Sequence, residues 1–192
     1  MRLIPITEVM MNSFKRILTT TALVIGLTCG IAMNAQAKLP ADMEEYQARY
    51  EAEAKTPEGA VKLWMDALFL YQNPSTRALG SQMMMAIIDG FPDDFERNGA
   101  HRMFVERLKT EQQIFRSYCA GSAPENNYKA DPDNCDLMIT KSLESPYEEG
   151  VWTIYIQSSG SDSARQVKLI KRGDHWKVTN YANFYQKIRP AK

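Results

Sequence analysis

The chain has 192 residues, 23 basic and 23 acidic, with a mean hydropathy of −0.40. That balance leaves no electrostatic footprint for nucleic acid and no polybasic patch for anionic lipid. A hydrophobic content of 44% is that of a core-forming globular protein, which excludes a disordered or fibrous chain.

The chain opens on a secretory pattern. Lys15 and Arg16 form a basic start, residues 17–33 an apolar run, and Ala35-Gln36-Ala37 a small-residue cleavage site. The expected cut falls between Ala37 and Lys38, giving a periplasmic or secreted protein. Residues 1–10 lengthen the basic region and place Glu8 in it, so Met11 is the expected start. Two rival readings fit less well. A retained anchor would use a run of minimal length broken by Gly26, Thr28 and Gly30. Lipidation at Cys29 wants Leu three residues before it and a small Gly, Ala or Ser directly before it, where Gly26 and Thr28 stand. With the leader gone, no stable membrane anchor is expected.

Taking 37 residues from 192 leaves 155, the size of one domain. The leader holds Arg2, Lys15, Arg16 and Glu8, so 20 basic and 22 acidic residues remain, a net charge of −2. Cys29 leaves too, and the surviving pair, Cys119 and Cys135, reads as a disulfide in an oxidising compartment. It closes a loop of 17 residues, counting both ends, for which chain entropy assigns about 3 kcal/mol. The enclosed residues 120–134 are polar and rich in turn formers, so the staple holds a stretch that is otherwise mobile. No C-x-x-C spacing points to redox catalysis.

Residues 42–55 are charged and helix-forming, with Tyr46 and Tyr50 one turn apart, and predict a short, exposed N-terminal extension. Thr56-Pro57-Glu58 is a helix start. Val61, Trp64, Met65 and Leu68 then mark one buried stripe, and Asn73-Pro74 ends the helix. A third helix is predicted from Ser75 or Thr76 to Asp89, with Leu79, Met83 and Ile87 inward and Gly90 closing it. Met83-Met84-Met85 reads as core packing in preference to an adaptable binding surface. After the break at Phe91-Pro92-Asp93-Asp94, a long helix is predicted over 98–118, with Phe104, Leu108 and Phe115 on one side. Beyond the stapled loop, residues 137–143, 151–158, 165–171 and 176–181 read as strands joined by hairpin-type turns. Helices followed by an antiparallel meander define an α+β fold, with N-terminal helices packed on a curved four-stranded sheet. Residues 56–192 are expected to form it as a single domain.

Two segments carry a family resemblance. Thr56-Pro57-Glu58-Gly59-Ala60-Val61-Lys62-Leu63-Trp64-Met65-Asp66-Ala67-Leu68 resembles the first helix of exported members of the nuclear-transport-factor-2-like superfamily, the cystatin-like α+β cone. Val167-Lys168-Leu169-Ile170-Lys171-Arg172-Gly173-Asp174-His175-Trp176-Lys177-Val178 resembles their last hairpin. The likeness spans residues 56–181 but rests on its two ends, and the insert between Cys119 and Cys135 has no counterpart in it. It implies a pocket between helices and sheet. In ketosteroid isomerases and polyketide cyclases that pocket does acid–base chemistry with Asp, Tyr or His, whereas many exported relatives are binding or accessory modules.

The chemistry-bearing residues are few. Asp66 flanks the buried stripe and reads as solvated. His101 sits at the start of the long helix and His175 in a hairpin turn, both structural by default. Asp131, Asp133, Asn134 and Asp136 gather oxygen donors but lack the Gly and Glu of a calcium loop, so they read as an Asx-rich turn. Zinc lacks ligands, and neither a G-x-S-x-G elbow nor a phosphate-cradling Gly loop is present. Tyr181, Phe184 and Tyr185 are expected to pack the last strand. The sequence thus predicts a non-enzymatic binding or accessory module without a cofactor. It would take a protein or small apolar ligand through the sheet–helix cleft or the stapled loop. A pocket enzyme of the isomerase or cyclase type is the alternative.

Overall fold

The computed structural model describes residues 38–192; the leader with its cut and Cys29 lies outside the described residues. Among the described residues five α-helices precede the sheet: α1 (Met43–Glu53), α2 (Pro57–Gln72), α3 (Arg77–Ile87), α4 (Arg102–Thr110) and α5 (Gln112–Arg116). Four strands follow, β1 (Ile139–Glu144), β2 (Val151–Ile156), β3 (Arg165–Arg172) and β4 (His175–Asn180), paired antiparallel in the order β1-β2-β3-β4. The fold is α+β, as the sequence predicts. Among the described residues no helix is long and apolar enough to cross a membrane.

Helix α2 is the axis of the molecule. The Thr56 hydroxyl accepts from Gly59 N–H at 3.1 Å, and Pro57 takes the first helical position, where its missing N–H costs nothing. One apolar stripe was expected, but Leu63, Ala67, Phe69, Leu70 and Tyr71 are buried as well. A helix apolar on nearly every side must be covered on every side. At one crossing the backbones nearly touch: a Cβ on Gly80 of α3 would lie 2.3 Å from Tyr71 N, so only glycine fits.

The sheet's inner face carries Ile154, Ile156, Val167, Leu169 and Val178, all buried. Cross-strand partners such as Ile154 and Val167, or Leu169 and Val178, keep these residues on one side. Ser142 of β1 donates to Glu58 Oε1, and Trp152 Nε1 donates to Ser142 Oγ at 2.7 Å, tying the start of α2 to the sheet.

Three expectations change. The α1 extension is exposed on one face only: Glu44, Glu45, Gln47 and Glu51 meet solvent, but Tyr46 and Tyr50 are buried in the core and the Ala54 carbonyl accepts from Trp176 N–H at 2.7 Å. The long helix over 98–118 breaks at Glu111, whose φ of −125° and ψ of 56° leave the helical region. Thr110 Oγ1 donates to the Glu106 carbonyl at 2.8 Å, a back-bond that bends helices, and the chain restarts as α5 with Ile114 and Phe115 aimed inward. Finally, α3 stops at Ile87, and Ile88 forms an isolated parallel bridge to Val178. Met83 and Met84 lie in the core, with Met85 half-buried beside it.

Candidate functional site

Cys119 and Cys135 are disulfide-bonded, with their Cα atoms 5.0 Å apart. The loop they close is pinned well beyond that bond. It holds two single turns, Pro124–Asn126 and Pro132–Asn134. Asn126 Oδ1 accepts from the N–H groups of Ala123 (2.9 Å) and Lys129 (3.1 Å). Asn127 and Tyr128 take left-handed φ values of 58° and 51°, which turn the chain so that the Tyr128 side chain is fully buried. Its hydroxyl donates to the Arg189 carbonyl at 2.6 Å. Gly160, in the β2–β3 connection, makes room for it, since a Cβ there would lie 2.5 Å from Tyr128 Oη.

The acidic cluster is an Asx-rich turn. Asp131 Oδ1 accepts from Asp133 N–H at 3.1 Å, and Asp131 Oδ2 from Asn134 Nδ2 at 2.5 Å. Asp133 Oδ1 accepts from Leu39 N–H at 3.0 Å, tying the loop to the N-terminal strap. Among the described residues no three His, Cys, Asp or Glu side chains converge to hold a metal ion.

Beside this turn opens a cleft of about 600 Å³, walled by Leu39, Phe69, Gln72, Gln112, Arg116 and Pro132. Gln112 Nε2 donates to the Gln72 carbonyl (3.2 Å), and Arg116 Nη2 donates to Gln112 Oε1 (3.3 Å). Gln72 is only 3% exposed, yet its Nε2 has no acceptor, and buried Arg116 Nε has none either. Both atoms are closed off from solvent, so they are unpaired inside the wall and not open to the cleft.

A second cleft, of about 210 Å³, lies between the end of β4 and the start of α4, lined by Phe91, His101, Phe104, Tyr181 and Tyr185. His101 Nδ1 and Tyr181 Oη are 3.3 Å apart, and the His101 ring stands edge-on to Phe91 at 4.8 Å. Burial lowers the His101 pKa and raises that of Tyr181, so both are neutral near pH 7. Asp89 lines the same cleft, but Arg172 holds both its oxygens, at 2.9 and 2.7 Å.

Two other candidate residues have settled elsewhere. Asp66 is not a solvated flank. It is 5% exposed and bonded to Arg49 Nη2 at 2.7 Å, and burial pushes its carboxyl up to about 6. His175 is the first residue of β4, not a turn residue, and stacks on Tyr50 at 4.9 Å. Its Nε2 lies 3.1 Å from Glu51 Oε2 but off the direction of a hydrogen bond. Tyr181, Phe184 and Tyr185 are all buried. Phe184 stacks on Tyr118 at 3.7 Å and meets Trp64 edge-on at 4.9 Å, so side chains fill the space between helices and sheet.

Gln72, Arg116 and Arg49 were not singled out from the sequence. Gln72 had a signal: it is a polar residue ending an otherwise apolar helix. Arg116 and Arg49 read as ordinary charges on helical faces.

Fold and site together define a disulfide-stapled α+β domain whose cavities open at its surface. The chain belongs to a family described as a domain of unknown function, DUF6935, which matches residues 38–192. No curated protein and no solved structure matches it.

Proposed function

We propose that the protein is an exported, periplasmic or secreted, non-enzymatic binding module whose ligand enters the cleft beside the stapled loop. The observation that carries this reading is a 600 Å³ cleft beside the loop, whose wall combines apolar Leu39, Phe69 and Leu70 with Arg116, a cation that no salt bridge among the described residues engages. Ligand sites combine an apolar lining with a few placed polar groups at about this volume. The disulfide supports export, as does a family span that starts at Lys38, the expected first mature residue. Helices followed by an antiparallel meander support kinship with the nuclear-transport-factor-2-like superfamily. Two observations weigh against the isomerase or cyclase reading: the His101–Tyr181 cleft offers a neutral pair without a free carboxylate to polarise it, and in the 110 Å³ pocket that Asp66 lines, the Asp66 carboxyl is held by Arg49.

Native mass spectrometry of protein purified from exporting cells tests the binding reading. A non-covalent small-molecule adduct is expected, lost when Gln112→Trp fills the cleft. Unliganded protein that reproducibly captures one protein partner would overturn it. N-terminal sequencing of the same material should begin at Lys38, and a start at Met11 or at a lipidated Cys29 would refute cleavage there.

A further inference from the structure

We infer that the Cys119–Cys135 disulfide is a redox-sensitive latch on the cleft, whose reduction frees residues 130–135 and loosens the wall that Pro132 and Asp133 form. The first half of the loop holds itself: Tyr128 is buried with its hydroxyl on the Arg189 carbonyl, and Asn126 Oδ1 closes its own turn. The second half does not, since no residue from Lys129 to Asp136 is buried. Among the described residues, the one hydrogen bond from residues 130–135 to the rest of the protein runs from Leu39 N–H to Asp133 Oδ1. The disulfide is the other tie, and just beyond it the Asp136 carbonyl accepts from Ala120 N–H at 2.8 Å. Pro132 and Asp133 wall the 600 Å³ cleft and, with Cys135, an adjoining pocket of about 110 Å³. That the latch governs binding rests on the reading of the cleft as the ligand site; the loosening itself does not. Cys119 is 1% exposed, whereas Cys135 is half-buried and lines the smaller pocket, so a thiol reductant attacks Cys135 Sγ as its thiolate. A mixed disulfide forms at Cys135, and Cys119 leaves as a thiolate that takes a proton from water. A second thiol then releases Cys135 as a thiol, and the two reductant sulfurs end joined in a disulfide. In that pocket Asp66 is matched by Arg49, which leaves Asp133 and Asp136 against Lys62. A cationic thiol therefore enters more readily than an anionic one.

Hydrogen-exchange mass spectrometry of the mature protein, oxidised and in dithiothreitol, tests this. On reduction, peptides covering residues 130–135 and Leu39 should exchange about tenfold faster, with α2 and β2 unchanged. The double variant Cys119→Ser, Cys135→Ser should show the same pattern without reductant. Unchanged exchange in both would overturn the latch. Faster exchange throughout α2 and β2 would overturn it too, by making the bond a support of the whole fold. A disulfide that dithiothreitol leaves intact in the folded protein would do the same. At equal thiolate concentration and low ionic strength, cysteamine should cleave the bond about threefold faster than thioglycolate, with the difference fading in high salt. Equal rates at low salt would overturn attack through the pocket at Cys135. Loosening on reduction in a protein that shows no native adduct would leave the latch standing and sink the cleft as the binding site.

Discussion

Arg49 joins three parts of the chain through one guanidinium. It donates to Asp66 on α2 (2.7 Å), to Glu53 on its own helix (2.8 Å) and to the Lys38 carbonyl of the strap (3.1 Å). Burial outweighs Arg49's pull on Asp66, whose carboxyl rises from an ordinary 3.8 to about 6, whereas Arg49, held by two carboxylates, stays cationic. Between those values the folded protein binds a proton that the unfolded chain releases. Asp66's contribution is therefore full below about pH 4 and lost as pH rises through about 6. The swing is on the order of 2–3 kcal/mol. Urea melts should show Asp66→Asn lacking this slope between pH 4 and 7, and an unchanged slope would mean that Asp66 titrates normally. Arg49→Met leaves a buried carboxylate alone and should cost about 3–5 kcal/mol at pH 7.5, but far less at pH 5, where Asp66 takes up a proton. Gly160→Ala places a methyl 2.6 Å from Ile188 Cγ2 and against Tyr128 Oη. It should cost about 1–3 kcal/mol, partly relieved in a Tyr128→Phe background.

At the scale of elements, caps and crossings decide. Removing the cap with Thr56→Ala should cost about 1 kcal/mol, measured by denaturant titration. Gly80→Ala should cost more, since the new methyl meets the Tyr71 backbone, which cannot rotate away. The elements themselves were legible because their signals are local: Thr56-Pro57-Glu58 starts α2, and alternation over Trp152–Ile156 marks β2. The break at Glu111 was not legible. Its neighbours are helix formers, and the kink arises where Ile114 and Phe115 must reach a core that the line of α4 would miss. Asp66 was misread for a related reason. Its solvation depends on α1 and on the stapled loop, both distant in sequence and close in space.

For the molecule as a whole, the stapled loop is an organising piece. It receives the strap at Asp133, holds Tyr128 in the body, and meets the C-terminal end where Lys192 N–H donates to the Pro124 carbonyl at 3.1 Å. Replacing both cysteines by serine should lower stability by about 3 kcal/mol, because the unfolded chain regains the entropy of an open loop. A chain that unfolds at the wild-type urea midpoint without its disulfide would show that Tyr128 and the C-terminal contacts suffice.

By itself the sequence determined the helix and strand order, the α+β class, the cysteine pair as a staple and the aromatic tail as core. Each is written in local periodicity, capping or residue chemistry. Only the tertiary structure decided that one face of α1 is buried, that aromatic rings fill the space between helices and sheet, and that Gln72 and Arg116 line one cleft. Burial and a missing hydrogen-bond partner are properties of what surrounds a residue. The surroundings of Gln72 come from the strap, from α5 and from a loop some sixty residues further along the chain.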